Sequence, residues 1–335
     1  MTAPSDGLTV GVDLGGTKIA VGVVDPKGEI ISQVRIPTPA DPELILDAIA
    51  DAVREVRRGS SGVQAIGIGA AGYVDQHRST VHFGPNLRWQ NKPIRALVEQ
   101  ATRLRVVVEN DANAAAWGEF VHGAGAGYDD MVMVTLGTGL GGGIISNGQL
   151  FRGRFGMAGE IGHYRAVPDG IPCRCGQSGC IEQYASGSAH ERRAREQAAA
   201  DPDRAAALMA LGDGTPAGVK GSHVTAAAQA GDPFALDLFE QTGCWVGQAL
   251  ADLVSILDPA VLVIGGGLSE TGELIRRPAE DAYRRALGGG AHRVHAEVVT
   301  ATVGRDVGLI GAAELARRGW QEHSHPASKK ETCRG

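Results

Sequence analysis

Short apolar runs separated by turn residues open the chain. Residues 8–13 and 19–24 are mostly apolar and flank the pair Gly15-Gly16, and residues 29–35 follow a second turn. Apolar runs of this length between glycine, proline and aspartate residues are typical of β-strands. The pattern therefore predicts a three-stranded meander at the start of the chain.

Other segments carry apolar side chains at the three- and four-residue spacing of an amphipathic helix. Residues 42–58 are one example, with Ile45, Ile49 and Val56 on the apolar face. The pattern also predicts helices over 93–102, 112–120, 187–211, 233–257, 273–287 and 307–318, and strands over 65–69, 106–108, 131–136, 261–264 and 294–299.

A strand, a glycine-rich turn and a return strand occur a second time. Residues 131–136 are apolar, residues 137–143 are rich in glycine, and Ile144-Ile145 begins a return strand that ends at Asn147-Gly148. This second hairpin lies about 120 residues after the first, a spacing that indicates internal duplication.

Composition narrows the class of protein. The chain has 335 residues, about two domains' worth, and its 32 Lys and Arg against 38 Asp and Glu give a net charge of −6. An acidic excess disfavours nucleic acid as a partner, because phosphate contacts need a basic face.

The sequence shows no run of about 20 apolar residues and no signal-peptide pattern, so we expect a cytoplasmic protein without membrane association. Five cysteines, an odd number, argue against a disulfide framework.

Glycine is the compositional outlier, with 49 residues of 335, about twice the usual share of about 7%. It is concentrated in two hairpin tips, Asp13-Leu14-Gly15-Gly16-Thr17-Lys18 and residues 137–143. Backbone N–H groups at such tips can approach a bound anion, and an acid beside them can hold hydrated Mg²⁺. The alternative is two tight turns without a ligand.

Two common nucleotide motifs do not explain these loops. Gly137, Gly139 and Gly142 match the dinucleotide fingerprint, but a strand follows them where that motif requires a helix. The Gly-Lys-Ser/Thr of a Walker A loop does not occur in the sequence. A phosphate-binding protein of another class remains.

One histidine and three cysteines lie close together in the second half of the chain. His163, Cys173, Cys175 and Cys180 fall within 18 residues and form a complete tetrahedral set for Zn²⁺. Disulfide bonding is the alternative, but it would leave one of the three cysteines unpaired. Four protein ligands leave no open position, so the predicted zinc ion is structural.

A candidate general base follows an apolar strand. Residues 106–108 lead into Glu109-Asn110-Asp111-Ala112-Asn113, which places Asn110 and Asp111 at the start of a helix. An aspartate there can be an ordinary N-cap. It can also accept the proton of a hydroxyl group during phosphoryl transfer, and the two glycine loops favour this second interpretation.

Five motifs together resemble the ROK family of sugar kinases and repressors. They are DLGGTK (13–18), ENDANAAAWGE (109–119), GTGLGGG (137–143), GEIGH (159–163) and CRCGQSGCIEQYASG (173–187). The resemblance covers about residues 8–319. It implies an α/β, actin-like fold of two RNase H-like lobes around a central cleft. The implied lobes are 1–117 plus 305–323 and 118–304, and we expect a disordered tail over 324–335.

The resemblance also implies an ATP- and Mg²⁺-dependent kinase that phosphorylates glucose at its 6-hydroxyl, with glucose and ATP as partners and a homo-oligomer (dimer or tetramer) as the assembly. Carried over residue by residue, Asp111 is the general base. The implied sugar ligands are Gly72, Asn86, Asn110, Asp111, Glu160, His163 and Glu182, and the implied nucleotide and phosphate ligands are Asp13, Gly15, Gly16, Thr17, Lys18, Thr138, Gly139, Gly265, Gly266 and Gly267. His163 would use one ring nitrogen for zinc and the other for the sugar.

Several alternatives remain open at the level of the sequence. Within the same class, the sugar could be mannose, N-acetylmannosamine or fructose, and polyphosphate could replace ATP as donor. In a different class, a sugar-responsive repressor would need a helix-turn-helix ahead of Asp13. Only twelve residues precede Asp13, so we expect no such domain and disfavour the repressor.

Overall fold

The computed structural model describes residues 7–289 and 292–324. They divide into two compact units: unit 1 comprises residues 7–122, 152–158 and 306–324, and unit 2 comprises residues 123–151, 159–289 and 292–305. Among the described residues, none of the helices combines the length and the apolar character needed to cross a bilayer.

Unit 1 is built on a five-stranded sheet flanked by helices. Its strands are β1 (Thr9–Leu14), β2 (Lys18–Val24), β3 (Ile30–Pro37), β4 (Ala65–Ala70) and β8 (Arg105–Asn110), and its helices are α1 (Ile45–Val56), α2 (Ile94–Thr102), α3 (Asp111–His122) and α10 (Val307–Ser324). A small antiparallel sheet of β5 (Tyr73–Val74), β6 (Val81–Gly84) and β7 (Trp89–Lys92) is inserted between β4 and α2.

Unit 2 has a second five-stranded sheet and a larger set of helices. Its strands are β9 (Met131–Leu136), β10 (Leu140–Ser146), β11 (Gln149–Leu150), β12 (Val261–Gly265) and β13 (Glu297–Thr300). Its helices are α4 (Glu182–Ala185), α5 (Gly187–Ala200), α6 (Ala206–Ala210), α7 (Gly221–Gln229), α8 (Pro233–Leu257) and α9 (Glu273–Ala286).

The two sheets share one topology. The strand order is β3-β2-β1-β4-β8 in unit 1 and β11-β10-β9-β12-β13 in unit 2. In each, the first three strands form an antiparallel meander and the last two are parallel to the central strand. The internal duplication predicted from the two glycine-tipped hairpins is therefore present in the strand order.

Small residues on the sheet of unit 1 allow α10 to lie directly on the strands. A Cβ at Gly11 would sit 1.9 Å from the Leu309 carbonyl oxygen, and one at Gly67 would sit 1.8 Å from that of Ala312. The opposite face carries the apolar core of unit 1, which includes Val10 and Val12 of β1. Residues of one strand alternate between the two faces, so on β1 Gly11 faces α10 while Val10 and Val12 face the core.

The two units differ from the expected lobes at both expected boundaries, the one after residue 117 and the one after residue 304. Helix α3 is continuous to His122, so residues 118–122 stay with unit 1. Residues 152–158 also join unit 1, because Arg152 donates hydrogen bonds to the backbone oxygens of Asp75 (2.9 Å) and Gln76 (3.1 Å). Residue 305 belongs to unit 2. The predicted tail begins at Ser324, which ends α10, and its remaining residues lie outside the described part of the chain.

Most predicted elements are present, and the largest difference concerns the glycine-rich stretch 137–143. The return strand begins at Leu140 and not at Ile144, with Gly141–Gly143 paired to β9. The Ile161 side chain occupies the space that a side chain at Gly142 would need, so tertiary packing keeps these glycines in the strand. The small sheet β5-β6-β7 and helix α7 were not predicted, and residues 201–205 interrupt the predicted helix 187–211.

Candidate active site

The carboxyl ends of three parallel strands meet at one edge of the unit 1 sheet. Asp13 near the end of β1 pairs with Gly69 of β4, and Ala70 pairs with Asn110 at the end of β8. A Cβ at Gly69 would lie 3.6 Å from the Cα of Asp111. Ligands commonly bind at such an edge, and the sequence-predicted residues Asp13, Asn110 and Asp111 are gathered there.

Asn110 and Asp111 stand at the junction of β8 and α3. The Asn110 side chain accepts a hydrogen bond from the Asn113 N–H (3.0 Å) and so caps the helix. Its amide nitrogen donates to the Gly72 carbonyl (3.2 Å), a second predicted sugar ligand. Asp111 is the first residue of α3, and its Oδ1 accepts from the Ala112 N–H (3.0 Å). The N-cap interpretation of the sequence therefore applies to Asn110, which leaves the Asp111 carboxylate available for chemistry.

Two carboxylates influence each other at this edge. Burial raises the pKa of Asp111. Burial and the negative charge of Asp111 raise the pKa of Asp13 to about 6, against the opposing effect of Lys18. Asp13 also packs on the first turn of α10, where a Cβ at Gly308 would lie 3.3 Å from its Cγ. A half-buried acid beside a second acid attracts a cation, and a raised pKa makes Asp111 a stronger base.

The tip of the first hairpin is a tight turn that exposes its polar residues. The Gly15 N–H donates to the Lys18 carbonyl (3.1 Å), while Gly16, Thr17 and Lys18 are exposed. Thr38, which follows β3, supports the tip of the hairpin. Its hydroxyl donates a hydrogen bond to the Gly15 carbonyl (2.7 Å), and its N–H donates one to the Thr17 carbonyl (3.0 Å). Sequence analysis missed Thr38, which lies beyond β3 and carries no local motif.

The remaining sugar candidates of unit 1 lie on the inserted sheet and its flanks. Gly72 has φ of +146°, and a Cβ there would approach the Phe83 carbonyl oxygen to 2.4 Å, so this position requires glycine. Exposed Asn86 lies against Gly16, whose Cβ would contact that of Asn86 at 3.1 Å. Gly72 therefore lies next to Asn110 at the end of β8, and Asn86 lies next to Gly16 at the hairpin tip.

In unit 2, the two predicted phosphate segments follow adjacent parallel strands. Thr138 and Gly139 form the turn after β9, and Gly265 ends β12, where it pairs with Thr135. Gly266 has φ of +81°, and a Cβ there would lie 2.6 Å from the Leu136 nitrogen, so a side chain would not fit. Gly267 begins a 3₁₀ turn over Gly267–Thr271. The structure therefore brings Thr138, Gly139 and Gly265–Gly267 to one sheet edge.

The histidine and three cysteines form one cluster in unit 2. One ligand atom from each of His163, Cys173, Cys175 and Cys180 lies within 4.8 Å of the others. The Cys175 and Cys180 sulfurs are 3.6 Å apart, and Cys173 Sγ is 3.8 Å from His163 Nδ1. A tetrahedral zinc site with Zn–S bonds of about 2.3 Å places its sulfurs about 3.8 Å apart, whereas a disulfide needs about 2.05 Å. The three thiols are free, and the donor set fits Zn²⁺.

Glu182 joins this cluster to the second glycine loop. Its Oε2 accepts a hydrogen bond from the Leu140 N–H (3.0 Å), and its Oε1 lies 3.9 Å from the Cys173 sulfur. Glu160 immediately precedes the 3₁₀ turn Ile161–His163. The predicted ligands Glu160, His163 and Glu182 thus lie within or next to the segment that carries the cysteine cluster.

Comparison with known proteins identifies the family. Residues 9–319 match the model of the ROK family. This chain belongs to the ROK family.

Three proteins are similar to this chain over almost their whole length. The glucokinase of Streptomyces coelicolor is 54% identical over 311 residues, which are 93% of this chain and 98% of that protein. A crystal structure of a ROK glucokinase from Streptomyces griseus in complex with glucose and AMPPNP matches with a TM-score of 0.87 at 54% identity, over 93% of this chain and 100% of that one. The N-acetylmannosamine kinase of Escherichia coli is 32% identical over 92% of this chain and 98% of that protein.

The comparisons confirm the expected ROK membership and the expected α/β, actin-like fold class. Within this ROK protein, each predicted site residue lies in one of the groups described above. Sequence analysis missed one further group, Glu109 with Arg78 and Arg152, directly behind Asn110. Glu109 begins the motif ENDAN, but its partners lie 31 and 43 residues away along the chain, so no local spacing could reveal them.

Proposed function

We propose that this protein is a glucokinase, which transfers the γ-phosphoryl group of ATP to the 6-hydroxyl of glucose. The observation that carries the proposal is 54% identity to glucokinases over 93% of the chain. The site is consistent with it, because Asp111 stands at a strand-to-helix junction beside a glycine-tipped hairpin.

Asp111 is the proposed general base. Its carboxylate takes the proton of the 6-hydroxyl as that oxygen attacks the γ-phosphorus and the bond from phosphorus to the β-phosphate oxygen breaks. Burial raises the pKa of Asp111, and a raised pKa makes its carboxylate a stronger base. Asn110 fixes the start of α3 and so holds Asp111 in position.

The glycine segments are the proposed phosphate ligands. Gly16, Thr17 and Lys18 are exposed at the hairpin tip of unit 1, next to Gly15. Thr138, Gly266 and Gly267 are exposed at one sheet edge of unit 2, next to Gly139 and Gly265. The Asp13 carboxylate would hold Mg²⁺ through its hydration shell, and the bound ion would offset the charge of the phosphates.

Zinc is proposed for the His163, Cys173, Cys175 and Cys180 cluster, in a structural role. His163 Nδ1 faces Cys173, which leaves Nε2 free to hydrogen-bond a sugar hydroxyl. A bound zinc ion would order the segment that carries Glu160, His163 and Glu182.

The sugar-binding set remains a prediction: Gly72, Asn86, Asn110 and Asp111 in unit 1, and Glu160, His163 and Glu182 in unit 2. Carboxylates accept hydrogen bonds from free hydroxyls and would leave acceptors unpaired against an N-acetyl group. We therefore expect glucose to be preferred over mannose, and N-acetylhexosamines to be poor substrates, although an N-acetylmannosamine kinase is 32% identical to this chain.

A coupled phosphorylation assay tests the proposal. It compares glucose, mannose, fructose, N-acetylmannosamine and N-acetylglucosamine, each with ATP and with polyphosphate. We expect the highest kcat/KM for glucose with ATP, with discrimination against N-acetylated sugars of up to about 10⁴-fold. A higher kcat/KM for an N-acetylated sugar would contradict the assignment to glucose while leaving a kinase. Light scattering on the same sample tests the predicted dimer or tetramer.

A further inference from the structure

A buried carboxylate lies behind the proposed base and has no role in the function described so far. The Glu109 side chain is only 1% exposed, at the residue before Asn110. Taking an isolated carboxylate out of water is costly, so such a group must be paired. The partners of Glu109 therefore show what holds it in place.

The two oxygens of Glu109 face different groups. Oε1 accepts hydrogen bonds from the Asn110 N–H (3.0 Å) and from the Asn113 side-chain amide (3.2 Å). Oε2 lies 2.7 Å from Arg152 Nε and 3.2 Å from Arg78 Nε. The Glu109 carboxylate thus connects the two guanidinium groups to Asn110 and Asn113, which stand on either side of Asp111 in the sequence.

Arg152 is held in a single geometry. Its side chain is 11% exposed, and its two terminal nitrogens donate to the Asp75 and Gln76 carbonyls. Arg78 lies on the same loop, whose backbone is fixed by Asp75, because Asp75 Oδ1 accepts from the Ser79 N–H (2.7 Å) and the Thr80 N–H (3.1 Å). Both terminal nitrogens of the Arg152 guanidinium are therefore fixed by hydrogen bonds, and its Nε forms an ion pair with Glu109 Oε2. A planar guanidinium held in this way loses little by being ordered.

We propose that Arg152 and Glu109 are positioning residues for the phosphoryl-transfer step. Arg152 fixes Glu109, Glu109 fixes the Asn110 backbone and the Asn113 side chain, and these set where α3 begins and hence where the Asp111 carboxylate stands. The proposal rests on the proposed function, because it assigns the positioned group its role as base. A misplacement of about 1 Å at a reacting group can cost about 10²-fold in rate.

The variants R152A and E109Q test the proposal, with R154A as a matched control because Arg154 is an exposed arginine of the same segment. In folded R152A we expect kcat for glucose to fall about 10²-fold, with KM for ATP within two-fold of the wild type. Guanidinium ion at non-denaturing concentration should restore part of kcat in R152A and none in D111N. If R152A does not fold, the nearly isosteric E109Q should show the same loss of kcat.

A readout besides activity separates this proposal from the proposed function. Hydrogen exchange of peptides that span residues 105–115 should be faster in R152A than in the wild type and unchanged in R154A. Unchanged exchange there, unchanged kcat, or a fall in kcat that guanidinium does not reverse would each overturn the positioning role. A wild-type protein that phosphorylates no sugar would overturn the proposed function, while the exchange measurement would still decide the positioning role.

Discussion

The backbone N–H of Leu140 donates a 3.0 Å hydrogen bond to the carboxylate of Glu182. Leu140 begins β10, within the second glycine loop, and Glu182 follows directly on the segment that carries the cysteine cluster. The other oxygen of the carboxylate lies 3.9 Å from the Cys173 sulfur. One side chain therefore joins the candidate metal site to the candidate phosphate loop.

Replacing Glu182 by Gln keeps the shape of this side chain but removes its charge. Hydrogen bonds to charged groups contribute about 1.5–3 kcal/mol, so we expect KM for glucose to rise at least about tenfold, with the metal content unchanged. The control is E196Q, because Glu196 is an exposed acid on α5. Steady-state kinetics and metal analysis check both effects, and an unchanged KM would remove Glu182 from the sugar-binding set.

Replacing Asp111 by Asn should nearly abolish turnover while the fold is retained. A positioned general base contributes about 10²–10⁴-fold, and Asn cannot accept the hydroxyl proton. Circular dichroism should match the wild type and the Tm should not fall, because Asn removes a buried carboxyl whose pKa burial raises. D51N, at a position that is 71% exposed, should keep normal kcat. Near-normal kcat in folded D111N would show that another group takes the proton.

The protein purified without added zinc should contain about one zinc ion per chain. C175S should lower the zinc content and the Tm, because metal binding contributes to folding free energy. C244S is the matched control, since Cys244 is an exposed cysteine outside the cluster. Plasma emission spectroscopy measures the metal, and a zinc-free protein of unchanged Tm would rule out the structural role.

Asp13 should make stability depend on pH in the unusual direction for an acid. Its pKa rises from 3.8 to about 6 in the folded protein, through burial and then the charge of Asp111. The folded state therefore holds this proton more tightly than the unfolded chain, and stability falls as pH rises between about 4 and 6. Without Mg²⁺ or ATP, D13N should be more stable than the wild type by up to about 3 kcal/mol at pH 7.5.

Denaturant titrations at pH 7.5 and pH 4 check this expectation. The stabilisation by D13N should shrink at the lower pH, where wild-type Asp13 is already protonated when folded. D51N, at an exposed acid, should show no such change between the two pH values. A constant difference between D13N and the wild type at both values would mean that Asp13 is ionised in the fold at no cost.

Local patterns in the sequence were sufficient for elements whose signals lie close together along the chain. Strand Met131–Leu136 and helix Pro233–Leu257 have the predicted bounds, because the short apolar run of the strand and the apolar periodicity of the helix are local signals. The four candidate zinc ligands fall within 18 residues, and the structure brings their ligand atoms together. The motif around Asp111 likewise placed it at a strand-to-helix junction.

Tertiary structure decided what depends on contacts between distant residues. Gly141–Gly143 read as a turn in the sequence, yet pairing with β9 and packing against Ile161 make them part of a strand. Arg152 joins unit 1 because it reaches Glu109 and the Asp75 loop, and no spacing in the sequence encodes that reach. The physical reason is that a glycine or a charged side chain has weak local preferences. Its conformation is set by the backbone or the counter-charge that the completed sheet places beside it.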